Sequence, residues 1–113
     1  MLGPKTVADV ESLLGYLLSL LTSAKRGNRK GFDEGAFNYA RLVLAAAERP
    51  LTKLGMYLAT ETALNESEQL VAAGELDKAD VLLLKLVREM MEKSGSNDRL
   101  RKLYTPKTSE RKQ

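Results

Sequence analysis

Residues 6–24 read TVADVESLLGYLLSLLTSA, and their spacing decides the fold class. On a helical wheel Val7, Val10, Leu13, Leu14, Leu17, Leu18, Leu20, Leu21 and Ala24 fill one broad face. Asp9, Glu11, Ser12, Ser19 and Thr22 take the other. Apolar side chains returning every three or four residues mark a helix with one flank in a core. Thr6 stands where a capping side chain is wanted, and Asp9 adds negative charge near the unpaired N–H groups of the first turn. The spacing predicts a helix from Thr6 to Ala24. Gly15, Tyr16 and Ser19 interrupt the apolar run Leu13–Leu21, so no bilayer span is expected. One lysine before that run and no small-residue cleavage pattern after it argue against a signal peptide or anchor.

Moving outward, Lys25-Arg26-Gly27-Asn28-Arg29-Lys30-Gly31 breaks the helix and is the most basic short stretch. A second helix is expected from Asp33 to Arg49, with Phe37, Ala40, Val43, Leu44 and Ala47 facing the core. Leu42, Ala45 and Ala46 leave little of its other side polar, so it reads as the most enclosed helix, and Ala45-Ala46-Ala47 admits a close neighbour. Pro50 disfavours helical geometry at Arg49 and predicts a break or kink there. A third helix is expected from Leu51 to Ala73. Its stripe Leu51, Leu54, Leu58 runs on into Glu61, Asn65 and Glu68, after which Tyr57, Leu64 and Val71 take over. Either it bends near Gly55 or its halves meet different partners. In the second case Leu51, Leu54 and Leu58, with Glu61 and Glu68, form a candidate protein interface.

Gly74 ends that helix, and Glu75-Leu76-Asp77 opens a fourth whose core face is Leu76, Ala79, Leu83, Leu86, Val87, Met90 and Met91. Lys85–Glu89, Arg88–Glu92 and Glu89–Lys93 are spaced for exposed ion pairs. Ser94-Gly95-Ser96 closes it. Asn97 or Asp98 can cap a short last helix through Leu103, and the polar, basic stretch 105–113 is expected to be disordered. The fold expected is all-α: an antiparallel four-helix bundle over residues 1–104, with a short extra C-terminal helix and a basic tail.

Composition agrees. In 113 residues there is no isoleucine, cysteine or histidine. Leucine, alanine and charged helix formers dominate, and little is left to build strands. Without histidine and cysteine the chain lacks the commonest general base, the commonest zinc ligands and any disulfide. The Glu-x-x-His motif of di-iron bundles is impossible. Ser109 and Lys112 give the one Ser-x-x-Lys spacing, in the expected tail, where nothing would keep the lysine neutral. Glu61 and Glu68 share a stripe that reads as a solvated acidic face. The 25–31 loop has neither the order nor the preceding strand of a phosphate loop. No catalysis, metal or cofactor is expected, and the cysteine-free chain suits a cytoplasmic location.

Charge is segregated instead. Residues 25–53 carry seven cations and three anions, residues 54–92 three and eight, and residues 93–113 seven and two. Such zoning speaks about partners. Lys25, Arg26, Arg29, Lys30, Arg41, Arg49 and Lys53, with Arg99, Arg101 and Lys102 further on, are candidate contacts to nucleic-acid backbone. Few aromatics accompany them, so base stacking is a minor expectation.

The stretches Gly35-Ala36-Phe37-Asn38-Tyr39-Ala40 and Arg49-Pro50-Leu51, within this length, helix content and basic decoration, resemble the small helical subunits of CRISPR effector complexes of archaeal type I systems. The resemblance implies a non-catalytic subunit in antiviral defence. It would stack in several copies and touch guide RNA and target strand through the 25–30 loop, Arg41, Arg49 and Lys53. The acidic 61–80 region would then meet a neighbouring subunit, another protein or a copy of itself. In size and in its final hairpin the chain is also similar to flagellar export chaperones, which implies an apolar groove holding a partner helix. Residues 73–79 look like the turn of a tetratricopeptide hairpin.

Overall fold

The computed structural model describes residues 3–96, which form six helices and no strand. The first, α1 (Val7–Lys25), starts where Thr6 and Asp9 cap each other. The Asp9 N–H donates to Thr6 Oγ1 at 3.2 Å, and the Thr6 N–H donates to Asp9 Oδ2 at 2.8 Å. That Thr6 N–H, ahead of its side chain, holds the Asp9 carboxyl below its ordinary value. Val10, Leu13, Leu14, Leu17, Leu21 and Ala24 are buried, as the wheel predicts. An 18-residue window of α1 has a mean hydropathy of 1.3, long and apolar enough to cross a membrane, and only 33% of it is buried in this fold. Gly15, Tyr16 and Ser19 interrupt the leucines but add no charge.

The expected second and third helices become four segments: α2 (Lys30–Asp33), α3 (Ala36–Ala46), α4 (Glu48–Leu54) and α5 (Tyr57–Ala72). The break falls at Ala47 and not at Arg49. Pro50 has no N–H to give the carbonyl of Ala46, and its ring would clash there. Breaking three residues earlier puts Pro50 in the first turn of α4, where its missing donor costs nothing. The freed Ala46 carbonyl accepts from the Lys5 N–H at 3.0 Å, so the N-terminal strap closes the gap. Nor is α3 the most enclosed helix, because Tyr39 and Leu42 are 48% and 60% exposed.

The bend expected near Gly55 is a full stop. Gly55 has φ +77°, and the Met56 N–H returns to the Leu51 carbonyl at 2.9 Å. Gly74 repeats the device before α6 (Leu76–Ser94), with φ +78° and the Glu75 N–H on the Leu70 carbonyl at 2.8 Å. Both are left-handed helix ends that glycine adopts without strain.

Contacts between α1 and α6, α6 and α5, α5 and α3, and α3 and α1 close a ring of four helices. Leu14, Leu17, Leu21, Leu64, Leu83 and Met90 are fully buried inside it, and Leu51 and Met56 are buried at the α4 break. Each such side chain contributes about 1.5–3 kcal/mol on leaving water. Two hydroxyls are buried on α5. Thr60 Oγ1 donates to the Met56 carbonyl at 2.7 Å, whereas Ser67 Oγ has no partner among the described residues. The expected cap at Asn97 or Asp98, the last short helix, the tail and the domain boundary at 104 lie outside the described residues.

Candidate interaction surface

The cations singled out in the sequence fall into three groups. Three of them are bound internally. Lys25, at the C-terminus of α1, reaches the first turns of α6 and places Nζ 2.5 Å from Asp80 Oδ2 and 3.1 Å from Asp77 Oδ1. Asp80 first and Asp77 second push the ammonium above its ordinary pKa. Arg29 donates from Nη2 to the Val71 carbonyl at 2.9 Å, in the last turn of α5. The basic turn thus ties together the ends of three helices: Arg29 meets the negative C-terminal end of α5, and Lys25, at the C-terminus of α1, is held by the carboxylates in the first turns of α6. Arg41 bridges α3 to α5, donating to Asn65 Oδ1 at 3.1 and 3.3 Å, to Asn38 Oδ1 at 3.4 Å and to Glu68.

Arg26, Lys30, Arg49 and Lys53 are exposed, the first pair at the α1–α2 turn and the second on α4. Arg99, Arg101 and Lys102 lie outside the described residues. The charge zones therefore meet partly within the fold, through Lys25 with Asp77 and Asp80 and through Arg41 with Glu68. Residues 3–96 hold twelve cations and thirteen anions, whereas residues 97–113 hold six and two, so the excess positive charge of the chain belongs to its last stretch.

The Leu51, Leu54, Leu58 stripe does not form one patch. Leu51 is in the core, Leu54 is half-buried, and Leu58 lies beyond the Gly55 stop and is 72% exposed. Glu61 is exposed near Tyr57, whose phenol is raised by burial first and by Glu61 and Glu48 after it. Glu68 is taken by Arg41.

A different apolar surface opens between α5 and α6 near the Gly74 turn. It is a shallow groove of about 500 Å³. Leu70, Val81 and Leu82 form its floor, with Glu66, Asp77, Lys78 and Lys85 at its edges. Lys78 is steadied by Glu75 at 2.6 Å and Asp77 by Lys25. Val81 is 67% exposed. The sequence held a signal for it: Val81-Leu82-Leu83-Leu84 is four consecutive apolar residues, and no helix turns four successive side chains toward one core. Leu83 is buried, while Val81 and Leu84 remain outside.

A comparison with protein-family models, with curated proteins and with solved structures finds no match to this chain.

Proposed function

We propose that the chain is a non-catalytic adaptor that holds an amphipathic helix of a partner protein in the α5–α6 groove. The ring of α1, α3, α5 and α6 is read as an antiparallel four-helix bundle, with α2 and α4 as its connections. One observation carries the reading: an apolar floor of Leu70, Val81 and Leu82 set between edge charges of both signs. Such a groove takes an apolar stripe at three- and four-residue spacing, and its edges fix the direction of the helix. The absence of histidine and cysteine supports a role without covalent chemistry.

The test is selection of amphipathic helical peptides from a displayed library, followed by titration. Val81 is exposed, so Val81→Glu leaves the core intact while placing a charge on the floor. The expected result is a loss of about tenfold or more in affinity, on the order of 1.4 kcal/mol. A library without binders, or binding indifferent to Val81→Glu, would count against the adaptor.

The charge balance favours a second reading, a nucleic-acid-contacting subunit of the CRISPR small-subunit kind. In that case residues 97–113, with Arg99, Arg101 and Lys102, hold the backbone, assisted by Arg26, Lys30, Arg49 and Lys53. Affinity of the whole chain for a single-stranded oligonucleotide then falls steeply with salt and collapses in a chain ending at residue 96. Salt-independent binding, or equal binding by the shorter chain, would remove this reading.

A further inference from the structure

The outward side of α1 carries a stripe at three- and four-residue spacing: Asp9, Ser12, Tyr16, Ser19, Ser23 and Arg26. Ser23 is half-buried and the rest are exposed, Tyr16 at 47%. Opposite charges stand at the two ends, and every residue between them is uncharged. We propose that two copies of this chain pair through this stripe, α1 against α1 and antiparallel, to form a closed dimer.

Three observations carry the proposal. First, reversed, the stripe is its own complement: Asp9 of one copy meets Arg26 of the other at both ends, Ser12 meets Ser23, and Tyr16 meets Ser19. A parallel pairing would set Asp9 against Asp9 and Arg26 against Arg26. Second, both end charges have capacity left. The cap uses Asp9 Oδ2, leaving Oδ1 without a partner, and the Arg26 guanidinium has none among the described residues. Third, beside the stripe runs a groove of about 380 Å³ that adds Leu13, Tyr39 and Val43 to Asp9, Ser12 and Tyr16. A Cβ added at Gly15 meets nothing within 4 Å, so a second helix has room to come close.

A membrane surface fits this face poorly. Interfacial helices carry several lysines and arginines along the polar side, and this stripe has one, Arg26 at its end, offset by Asp9 at the other. A symmetric pairing closes at two copies, in contrast to an open stack. Lys5 shares the Asp9 end of the groove and offsets part of the attraction there. Tyr16 and Tyr39, each about half exposed, therefore carry the affinity, and the end charges set the direction.

The proposal is independent of the α5–α6 groove, because it uses another face and needs no foreign peptide. Its test is sedimentation equilibrium of the full chain over a wide concentration range. The wild-type chain sediments as a monomer–dimer equilibrium. Tyr16→Asp abolishes the dimer, while Arg26→Asp weakens it by roughly tenfold, through the loss of two end pairs and the repulsion that replaces them. Asp9→Arg does the same, with circular dichroism confirming that α1 still folds without its cap. Mixing Asp9→Arg with Arg26→Asp restores a dimer, because each cation then faces an anion. A wild-type chain that stays monomeric, a dimer indifferent to Tyr16→Asp, or a mixture that fails to recover would overturn the proposal.

Discussion

The helices α1 and α6 are both 19 residues long and lie against each other, yet they finish their outer surfaces differently. Eight residues of α6 are charged, against three in α1. Beyond the Val81 groove, the exposed side of α6 is covered by Arg88, Glu89, Glu92 and Lys93, with Lys93 3.7 Å from Glu89. That side needs water and nothing else. The outer side of α1 is serine, threonine, glycine and tyrosine, which neither repel a neighbour nor demand one. Their inward sides are alike, and the difference separates two jobs: the inward leucines make the fold, and the outward composition decides what the fold can meet.

The largest expected effect tests the likeness. Leu17 of α1 and Leu83 of α6 are both fully buried. Leu17→Ala and Leu83→Ala should each cost about 2–5 kcal/mol. For a domain of this size each kcal/mol lowers Tm by about 4–8 °C. Thermal unfolding followed by circular dichroism checks it. If Leu17→Ala leaves Tm within experimental error while Leu83→Ala does not, α1 is not an equal member of the ring.

Much of this was readable in the residues. The apolar faces of α1 and α6, the capping pair Thr6 and Asp9, the stop at Gly74 and the end at Ser94 all rest on local rules. Those rules act within a turn or two of chain. The break at Ala47 was misplaced because the residue before a proline is the usual suspect. Here the clash lies four residues back, and the relief comes from Lys5, more than forty residues away in sequence. The charge zones were read as signs of outside partners, since spacing along the chain cannot show that Lys25 lands beside Asp80 or Arg41 beside Glu68. The α5–α6 groove is hard to read along the chain for a related reason. Its floor combines Leu70 of one helix with Val81 and Leu82 of another, and only the Gly74 turn brings them together. Leu51 was placed on a surface stripe because the stop at Gly55 had not yet separated it from Leu58.

A middle-sized effect sharpens the contrast at the helix starts. α1 has a side-chain cap and α6 has none: Glu75 stands at the cap position of α6 without a side-chain hydrogen bond to it. Thr6→Ala should therefore cost about 1 kcal/mol. Glu75→Ala should cost less, losing only its exposed contact to Lys78 and a favourable dipole charge. Urea unfolding at neutral pH measures both. Equal losses would mean that the Thr6–Asp9 pair adds nothing beyond its charge.

The smallest effect opposes the two ends of α1 to each other, and pH separates them. At the N-terminal end the Thr6 N–H lowers the Asp9 carboxyl in the folded chain from its ordinary value of 3.8. The folded state then binds the proton less readily than the unfolded one. The stabilisation is complete above that ordinary value and disappears as pH falls through the lowered one. At the C-terminal end Asp80 and then Asp77 raise Lys25 above 10.5. Its contribution is complete below 10.5 and is lost as pH rises through the raised folded value. Both groups are solvent-exposed, so the changes are small slopes and not collapses. Unfolding midpoints in urea, followed from acid to alkali, should therefore bend down at both extremes. Asp9→Asn, which leaves the Thr6 hydroxyl in place, should flatten only the acid limb, and Asp80→Asn mainly the alkaline one. The asymmetry is the informative part. If Asp80→Asn also flattened the acid limb as much as Asp9→Asn does, the two ends of α1 would be electrostatically coupled across its length, contrary to screening over such a separation.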